Sequence, residues 1–229
     1  FSSGLTGVEN GFLEEIVKGE REAPKSLLDG MMDYMIGCGI RWWREWNQSA
    51  SSEKPSTDEI RRSYGHHAMM VHLSLLRENQ EMIRNIVQDL WPRAVDWFKT
   101  FDPDSSEDDH PFRSRWRKQM ERSRALRGIH DLPFGDIRYF IDRCIEITQD
   151  PIYDHRAGSP YTFYPGKPWA YLLNSSDEGM ELNYSKSTDW EVRAKKASII
   201  IGGNILSRGL TVEGLSVTEF ARSAMDEKM

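Results

Sequence analysis

Apolar residues follow two different patterns along the chain, continuous short runs and a repeat of three or four residues. The alternation of these patterns predicts a mixed α/β fold. Short runs dominated by apolar residues, at 68–73, 169–173 and 199–201, are typical of strands buried on both faces of a parallel sheet. Between and before these runs, apolar positions repeat every three or four residues, which indicates amphipathic helices. We therefore expect strand, helices, strand, turn and strand, arranged as a parallel sheet with packed helices.

Two long helices are predicted before the middle of the chain. The first begins near Ser26, whose hydroxyl together with Asp29 three positions later resembles a capping box. The second carries an apolar stripe over residues 82–98. Pro92 lies within that stripe and predicts a kink, because proline leaves the carbonyl four residues earlier without its donor.

Two further helices are predicted at 112–127 and 136–148, after an acidic, proline-containing loop. They fall between two predicted strands, so residues 102–150 are expected to form an α-helical insertion, or an extension of the helix layer. Residues 1–23 are mixed and glycine-bearing, and we expect them to be a connecting segment. The remaining stretch, 24–229, is then expected to be one α/β domain that carries the insertion.

Composition and charge limit the classes of function. Of the 229 residues, 38% are hydrophobic and 29% are charged, which is typical of a globular rather than a disordered chain. The formal net charge of −6 means that any nucleic-acid contact needs a local basic patch. We expect no membrane span and a cytoplasmic protein, with Cys38 and Cys144 as buried free thiols in a reducing compartment.

The helix predicted at 112–127 is a candidate phosphate-binding surface. Aligned cations neutralise phosphates and release counterions, which gives binding without base specificity. We expect Arg113, Arg117 and Arg124 to contact nucleic acid. The alternative is a solvated face that pairs with the acidic loop at 102–109. The stretch contains seven basic residues against one acid, namely Arg113, Arg115, Arg117, Lys118, Arg122, Arg124 and Arg127.

Metal chemistry has weaker support from the residue pattern. His66 and His67 are adjacent, but no further ligands follow at the spacing of a zinc site, so no metal is expected. A metal-dependent nuclease needs dispersed carboxylates and a lysine. The carboxylates at 177–191 precede Lys195, yet Glu191 is followed by Val-Arg, which breaks the Glu-x-Lys spacing.

The stretch at 197–215 has the strongest functional signal. Gly202 and Gly203 end a β-branched run, so backbone can pass close to whatever lies beyond the strand. Polar groups follow at the carboxyl edge, where open α/β sheets bind ligands. Arg208 is the permanent cation there and suits phosphate. The alternative interpretation is a structural strand-to-loop turn with a solvated Arg208.

Three segments resemble one family. Residues 202–215, Gly-Gly-Asn-Ile-Leu-Ser-Arg-Gly-Leu-Thr-Val-Glu-Gly-Leu, resemble the signature of the Z-one domain family. These are helicase-like proteins of superfamily II, often labelled endonucleases and found with restriction or phage-defence genes. The segment corresponds to helicase motif V in that comparison. Residues 68–74, Ala-Met-Met-Val-His-Leu-Ser, resemble the motif IV strand, and 173–184 resemble the next strand and turn.

The resemblance implies a partial, RecA-like second helicase lobe. It places a nucleotide-binding group toward the cleft between two lobes: Arg208, Gly209 and Thr211. Helicases commonly carry an aspartate after Arg-Gly, where this chain has Leu210. The resemblance also implies contact with the nucleic-acid backbone by a larger group of residues, namely His72, Ser74, Gly202, Gly203, Asn204 and Ser207. The sequence alone also allows His72 to be a hydrogen-bonded histidine of the sheet edge.

ATP and Mg²⁺ are expected only together with a first lobe outside this chain. The sequence has neither a Gly-x-x-x-x-Gly-Lys-Ser/Thr phosphate loop nor an acidic metal-binding strand. The family's arginine motif is expected after Phe220, where Arg222 stands without its flanking pattern. We assign no catalytic residue and expect the isolated chain to be inactive.

The expected partners follow from this interpretation. They are DNA, the N-terminal ATP-binding lobe, and proteins of a restriction or defence system. Two other functions stay open. One is a non-catalytic scaffold whose insertion at 102–150 docks a protein, and the other is a metal-dependent endonuclease.

Overall fold

The fold is taken from a computed structural model, which describes residues 14–16, 18–19, 22–49, 51–72, 77–106, 108–127, 132–150, 166–168, 170–173, 195–202 and 212–220. In these residues the elements follow in the order α1 (Lys25–Gln48), α2 (Thr57–Ser63), β1 (His67–His72), α3 (Arg77–Thr100), α4 (Pro111–Arg127), α5 (Phe134–Gln149), β2 (Ala170–Leu173), β3 (Ala197–Gly202) and β4 (Leu215–Phe220).

The four strands form a parallel sheet in the order β2-β3-β1-β4. This confirms the predicted mixed α/β class, and the three predicted strands are β1, β2 and β3. All six residues of β3 are buried, as its β-branched run indicated. Strand β4 was not predicted from the sequence. It lies at one edge of the sheet as described, where its first residue, Leu215, is 41% exposed.

One face of the sheet packs on the helices. The side chains of Met69 and Val71 in β1 point to the same side as Ile199 and Ile201 in β3, because these pairs are in register. All four join the core formed by the buried residues of the helices. Residues of the other parity, such as Met70, lie on the opposite face. The register therefore decides which side chains enter the core.

Helix α1 is the element on which the three other long helices pack. It contacts β1, β4, α3, α4 and α5, and its Met31, Met35 and Ile36 are fully buried. It runs opposite to the strands, because Gly30 lies beside Met69 and Gly37 lies beside His67.

The start of α1 corrects one prediction. The residue before the helix is Pro24, and no side chain caps the amino end, so the predicted capping box of Ser26 with Asp29 is wrong. Ser26 already lies inside the helix, where its hydroxyl cannot take the capping position. Proline has no side-chain acceptor, so the first amide groups of α1 have no side-chain cap. Asp29 lies near Arg115 of α4 instead, with 3.7 Å between Oδ2 and Nη1.

The other predicted helices are present. Helix α3 continues through Pro92, and α4 and α5 occupy the stretch predicted as an insertion. The apolar sides of α4 and α5 join the same core as α1, for example through Phe112 and Phe140, which are fully buried. The boundaries proposed for the connecting segment and the insertion stay predictions. None of the helices in the described part of the chain is long and apolar enough to cross a bilayer.

We expect Gly214→Ala to destabilise the protein by roughly 3 kcal/mol or more. Gly214 precedes β4 with φ +76°, and an added Cβ would overlap the carbonyl of His66. The free energy of unfolding in urea measures the change. Gly166→Ala is the matched control, because Gly166 has φ +78° but open space around the added carbon. The control should cost only about 1 kcal/mol, and equal losses in the two variants would contradict the packing described here.

Candidate nucleic-acid interface at the carboxyl edge of the sheet

The carboxyl ends of the four strands lie at one edge of the sheet, since all strands are parallel. The last residues of the strands are in register there: Gly202 is paired with His72 on one side and with Leu173 on the other. Phe220 is paired with His72. The fold therefore places His72 and Gly202, two predicted nucleic-acid contacts that are far apart in the sequence, side by side.

His72 is half-buried and lies on the sheet face opposite the helices, in the same parity as Met70. Another group of the chain interacts with it. A histidine that already has an interaction inside the protein can stabilise the sheet edge or can exchange that interaction for a phosphate. Both interpretations made from the sequence therefore remain open for His72.

Most of the other predicted edge residues lie outside the described part of the chain. They follow the ends of β1 and β3 in the sequence, and their predicted roles stay predictions. For nucleic-acid contact they are Ser74, Gly203, Asn204 and Ser207, and for nucleotide contact they are Arg208, Gly209 and Thr211.

Arg113 of the basic helix α4 has partners inside the protein. Its Nη2 donates to the carbonyl of Asp102 at 2.7 Å, and its Nη1 donates to the carbonyl of Pro103 at 3.2 Å. The guanidinium also lies over the ring of Phe101, with 5.4 Å between the central carbon and the ring centroid. This cation therefore holds the acidic loop against α4, which is the alternative that the sequence left open.

Arg115 and Arg117 also have acidic partners. Arg115 forms an ion pair with Asp33 of α1, and both side chains are largely buried, at 16% and 13% exposure. Arg117 donates to Asp108 of the acidic loop at 3.1 Å, where both side chains are exposed. Arg124, the third predicted contact on α4, is exposed and interacts with another group of the chain.

The fold does not bring the cations of α4 to the carboxyl edge. Arg115 contacts Asp29 and Asp33 of α1, on either side of Gly30, which lies beside Met69 in the middle of β1. Further along α4, Ser123 accepts from Arg44 near the end of α1, so α4 runs away from the carboxyl edge. His72 points to the face of the sheet opposite α1, whereas α4 packs on α1. The predicted nucleic-acid contacts thus fall on two separate surfaces.

His67 and Ser216 form a polar pair that the sequence did not indicate. The Nε2 atom of His67 lies 2.8 Å from the Ser216 hydroxyl and 3.1 Å from the carbonyl of Tyr34. A carbonyl only accepts, so Nε2 carries the proton, and the Ser216 hydroxyl donates to the carbonyl of Ala68 at 3.1 Å. Burial, with a smaller effect of Arg41, lowers the pKa of His67 to about 3. A protonated Nε2 cannot activate the serine, so the pair connects β1, β4 and α1 rather than forming a nucleophile.

Lys195 has a structural role at the same end of the sheet. Its ammonium donates to the carbonyls of Thr148 and Asp150, which lie at the end of α5. A cation at this position satisfies carbonyls that the helix leaves unpaired. Burial lowers the pKa of Lys195 to about 7, although Asp150 opposes that shift. This lysine, one element of the nuclease hypothesis, serves here as a helix cap.

Metal ligands are not clustered in the described residues: no group of three His, Cys, Asp or Glu side chains there could hold an ion. The Nδ1 atom of His66 lies 3.2 Å from the carbonyl of Lys195, and His67 is used as described above. The carboxylates of the nuclease hypothesis at 177–191 lie outside the described part of the chain.

Comparison with protein families identifies the chain. The family model described as Z1 domain matches residues 26–228, so the chain belongs to the Z1 domain family. This confirms the resemblance to the Z-one domain family that the segment at 202–215 indicated. No curated protein and no solved structure matches the chain.

We expect the stability of the protein to fall as the pH drops below 6.5. The pKa of His67 is about 3 in the folded protein and about 6.5 when unfolded, so between these values the unfolded chain binds one proton more. From pH 7.5 to 5.5 this histidine should lower the free energy of unfolding by about 1.4 kcal/mol. Urea unfolding at the two pH values measures the loss.

The variant His67→Gln is the control for this pH dependence. Its amide can still donate to the carbonyl of Tyr34, but it does not titrate. The loss between pH 7.5 and 5.5 should therefore be smaller in the variant than in the wild type. An identical loss in both proteins would show that His67 is not buried in its neutral form.

Proposed function

We propose that this member of the Z1 domain family is part of the motor of an ATP-dependent DNA translocase or helicase-like protein of a restriction or phage-defence system. In this proposal the parallel sheet is a partial, RecA-like second lobe that contacts the nucleic-acid backbone. The observation that supports it is the pairing of His72 with Gly202 at the carboxyl edge of a chain whose signature segment begins at that glycine.

The carboxyl edge suits a phosphate backbone for physical reasons. Open α/β sheets bind ligands outside the carboxyl ends of their strands. Gly202 itself is buried at the end of β3, so we propose that its role is to deliver the segment that follows it to this edge, where the backbone contact is made. Beside it, the imidazole of His72 can exchange a hydrogen bond with a phosphate oxygen. Such contacts position a nucleic-acid strand without reading its bases, as a translocating protein requires.

The basic helix is a second surface for phosphate in this proposal. Arg113 contributes less, since its guanidinium is already hydrogen-bonded inside the protein. Arg117 and Arg124 are exposed together with Lys118 and Arg122. Cations on one helix face neutralise phosphates at any sequence. Nucleic acid that contacts this surface is separate from the nucleic acid that contacts His72, or is another part of the same molecule.

The nucleotide chemistry belongs to an interface between two lobes. We propose that Arg208, Gly209 and Thr211 face the nucleotide, while an N-terminal lobe supplies the phosphate loop and the ligands for Mg²⁺. ATP and Mg²⁺ are therefore cofactors of the two lobes together. The presence of arginine suits this role, because its charge is permanent and its geometry matches phosphate oxygens.

A protein-binding scaffold is the alternative that a specific observation favours. Arg113 and Arg115 direct their charges to carbonyls and to Asp33 within the protein, so part of the basic helix stabilises the fold and is not available to DNA. A measurement of DNA binding distinguishes the motor lobe from the scaffold, since a scaffold that docks a protein needs no affinity for phosphate.

We expect the purified chain to bind single- or double-stranded DNA with an affinity that falls steeply as salt rises. Arg124→Ala should weaken this binding and reduce the slope of log K against log salt by about 1. His72→Ala should weaken it as well. Fluorescence anisotropy of labelled oligonucleotides at several salt concentrations provides the measurement.

The matched control for the arginine is Arg62→Ala. Arg62 is an exposed residue of α2, which precedes the amino end of β1. Its removal changes the net charge equally but should leave the salt slope unchanged. Equal effects of the two arginine substitutions would mean that only total charge matters. Absence of DNA binding at low salt would reject the motor-lobe proposal in favour of the scaffold.

We expect no ATP hydrolysis by the isolated chain, with or without DNA, because the phosphate loop must come from the other lobe. Release of inorganic phosphate provides the measurement. A protein that contains both lobes should hydrolyse ATP, and Arg208→Ala should reduce its kcat. Turnover by residues 1–229 alone would contradict the division of the site between two lobes.

A further inference from the structure

The acidic loop at 102–110 packs against the beginning of the basic helix α4. We infer that this loop competes with nucleic-acid phosphates for the exposed cations of α4, and so restrains the binding of nucleic acid to that surface. The inference rests on the proposed function, because it concerns the regulation of one of the two proposed phosphate-binding surfaces.

The loop has a fixed position beside the helix. Arg113 donates to two of its carbonyls and lies over the ring of Phe101. At the other end of the loop, the ring nitrogens of His110 lie 3.2 Å from the hydroxyl of Thr100 and 3.3 Å from the amide of Phe112. Contacts at both ends therefore hold the described part of the loop against α4, and Asp108 lies beside Arg117.

The carboxylates of the loop differ in what they do. Asp102 accepts from the amide of Asp104 at 2.9 Å and so stabilises the turn. Asp108 is 82% exposed and pairs with Arg117, which is 62% exposed, at 3.1 Å. Asp104 and Asp109 are exposed as well. The structure uses Asp102 for the fold of the loop, whereas Asp108 supplies negative charge beside Arg117 of α4. Asp104 and Asp109 add exposed negative charge to the same loop.

The charges of the loop balance those of the outward face of α4. That face carries four exposed cations and one acid, namely Arg117, Lys118, Arg122, Arg124 and Glu121. The loop adds four exposed carboxylates in the described part, Asp102, Asp104, Asp108 and Asp109. A phosphate that approaches Arg117 must therefore displace Asp108 and come close to the other carboxylates.

This arrangement can be reversed by a ligand. An exposed ion pair such as Arg117 with Asp108 is weak, because water and salt screen both charges. A polyanion with many phosphates can replace Asp108, while a short or weakly charged one cannot. The loop thereby raises the charge density that a ligand needs in order to occupy α4. Long nucleic acid meets that requirement.

The test compares the wild-type chain with a variant in which Asp104→Asn, Asp108→Asn and Asp109→Asn are combined. Asp102 is kept because it stabilises the turn. Anisotropy of a labelled 30-base-pair duplex should show about tenfold tighter binding by the variant at low salt, and a larger salt slope. Adding Arg117→Ala to the triple variant should remove most of the gain. Thermal unfolding confirms that each variant is folded.

The matched control neutralises three carboxylates elsewhere, with Glu22→Gln, Asp89→Asn and Glu213→Gln. These side chains are exposed, and their substitution changes the net charge by the same amount. If the control tightens binding as much as the loop variant, only net charge matters and the inference is overturned. If the loop variant binds like the wild type while the wild type still binds DNA, the inference fails but the proposed function stands. If neither protein binds DNA, both fail.

Discussion

The parallel pairing of β1 with β3 is the constraint on which the rest of the structure depends. All six residues of β3 are buried, and its register with β1 decides that Met69 and Val71 enter the core with Ile199 and Ile201. A shift by one residue would turn these side chains to the other face. The same register sets His72 beside Gly202. Core packing and the geometry of the candidate edge are therefore results of one interaction.

The sequence predicts the elements that have strong apolar patterns. It does not predict the elements whose position depends on tertiary packing. The run 199–201 and the stripe along α3 are uninterrupted, so β3 and α3 were found. Strand β4, Leu-Ser-Val-Thr-Glu-Phe, lies at the end of the strand order. It has neither the continuous apolar run of β3 nor alternation over its full length, so the pattern gave little signal. Helix α1 begins directly after Pro24 and has no side-chain cap, so no capping motif marks its start in the sequence. A real capping signal stands at Ser56, whose hydroxyl accepts from the amide of Glu59 at 3.2 Å and begins α2.

The candidate site shows more clearly that local sequence does not reveal the tertiary partners of a side chain. Composition identifies a basic helix at 112–127, but it cannot reveal that Arg113 binds carbonyls of the preceding loop or that Arg115 pairs with Asp33. Those partners follow from how helices pack, not from spacing along α4. The pair of His67 and Ser216 joins positions 149 apart in the chain. Neither local sequence indicates this pair, because the two residues meet only when β1 and β4 pair in the sheet.

The amino end of the sheet is held by hydrogen bonds that connect it to the helices. There the indole of Trp42 donates to the carbonyl of Gly65, and Glu45 accepts from the amide of the same residue. Lys195 caps α5, and His67 connects β1 to α1. Hydrogen bonds between polar groups that are largely shielded from water are costly to rearrange, so they suit a fixed end of the domain. Function that needs exchange of partners is therefore better placed at the carboxyl edge or on the exposed face of α4.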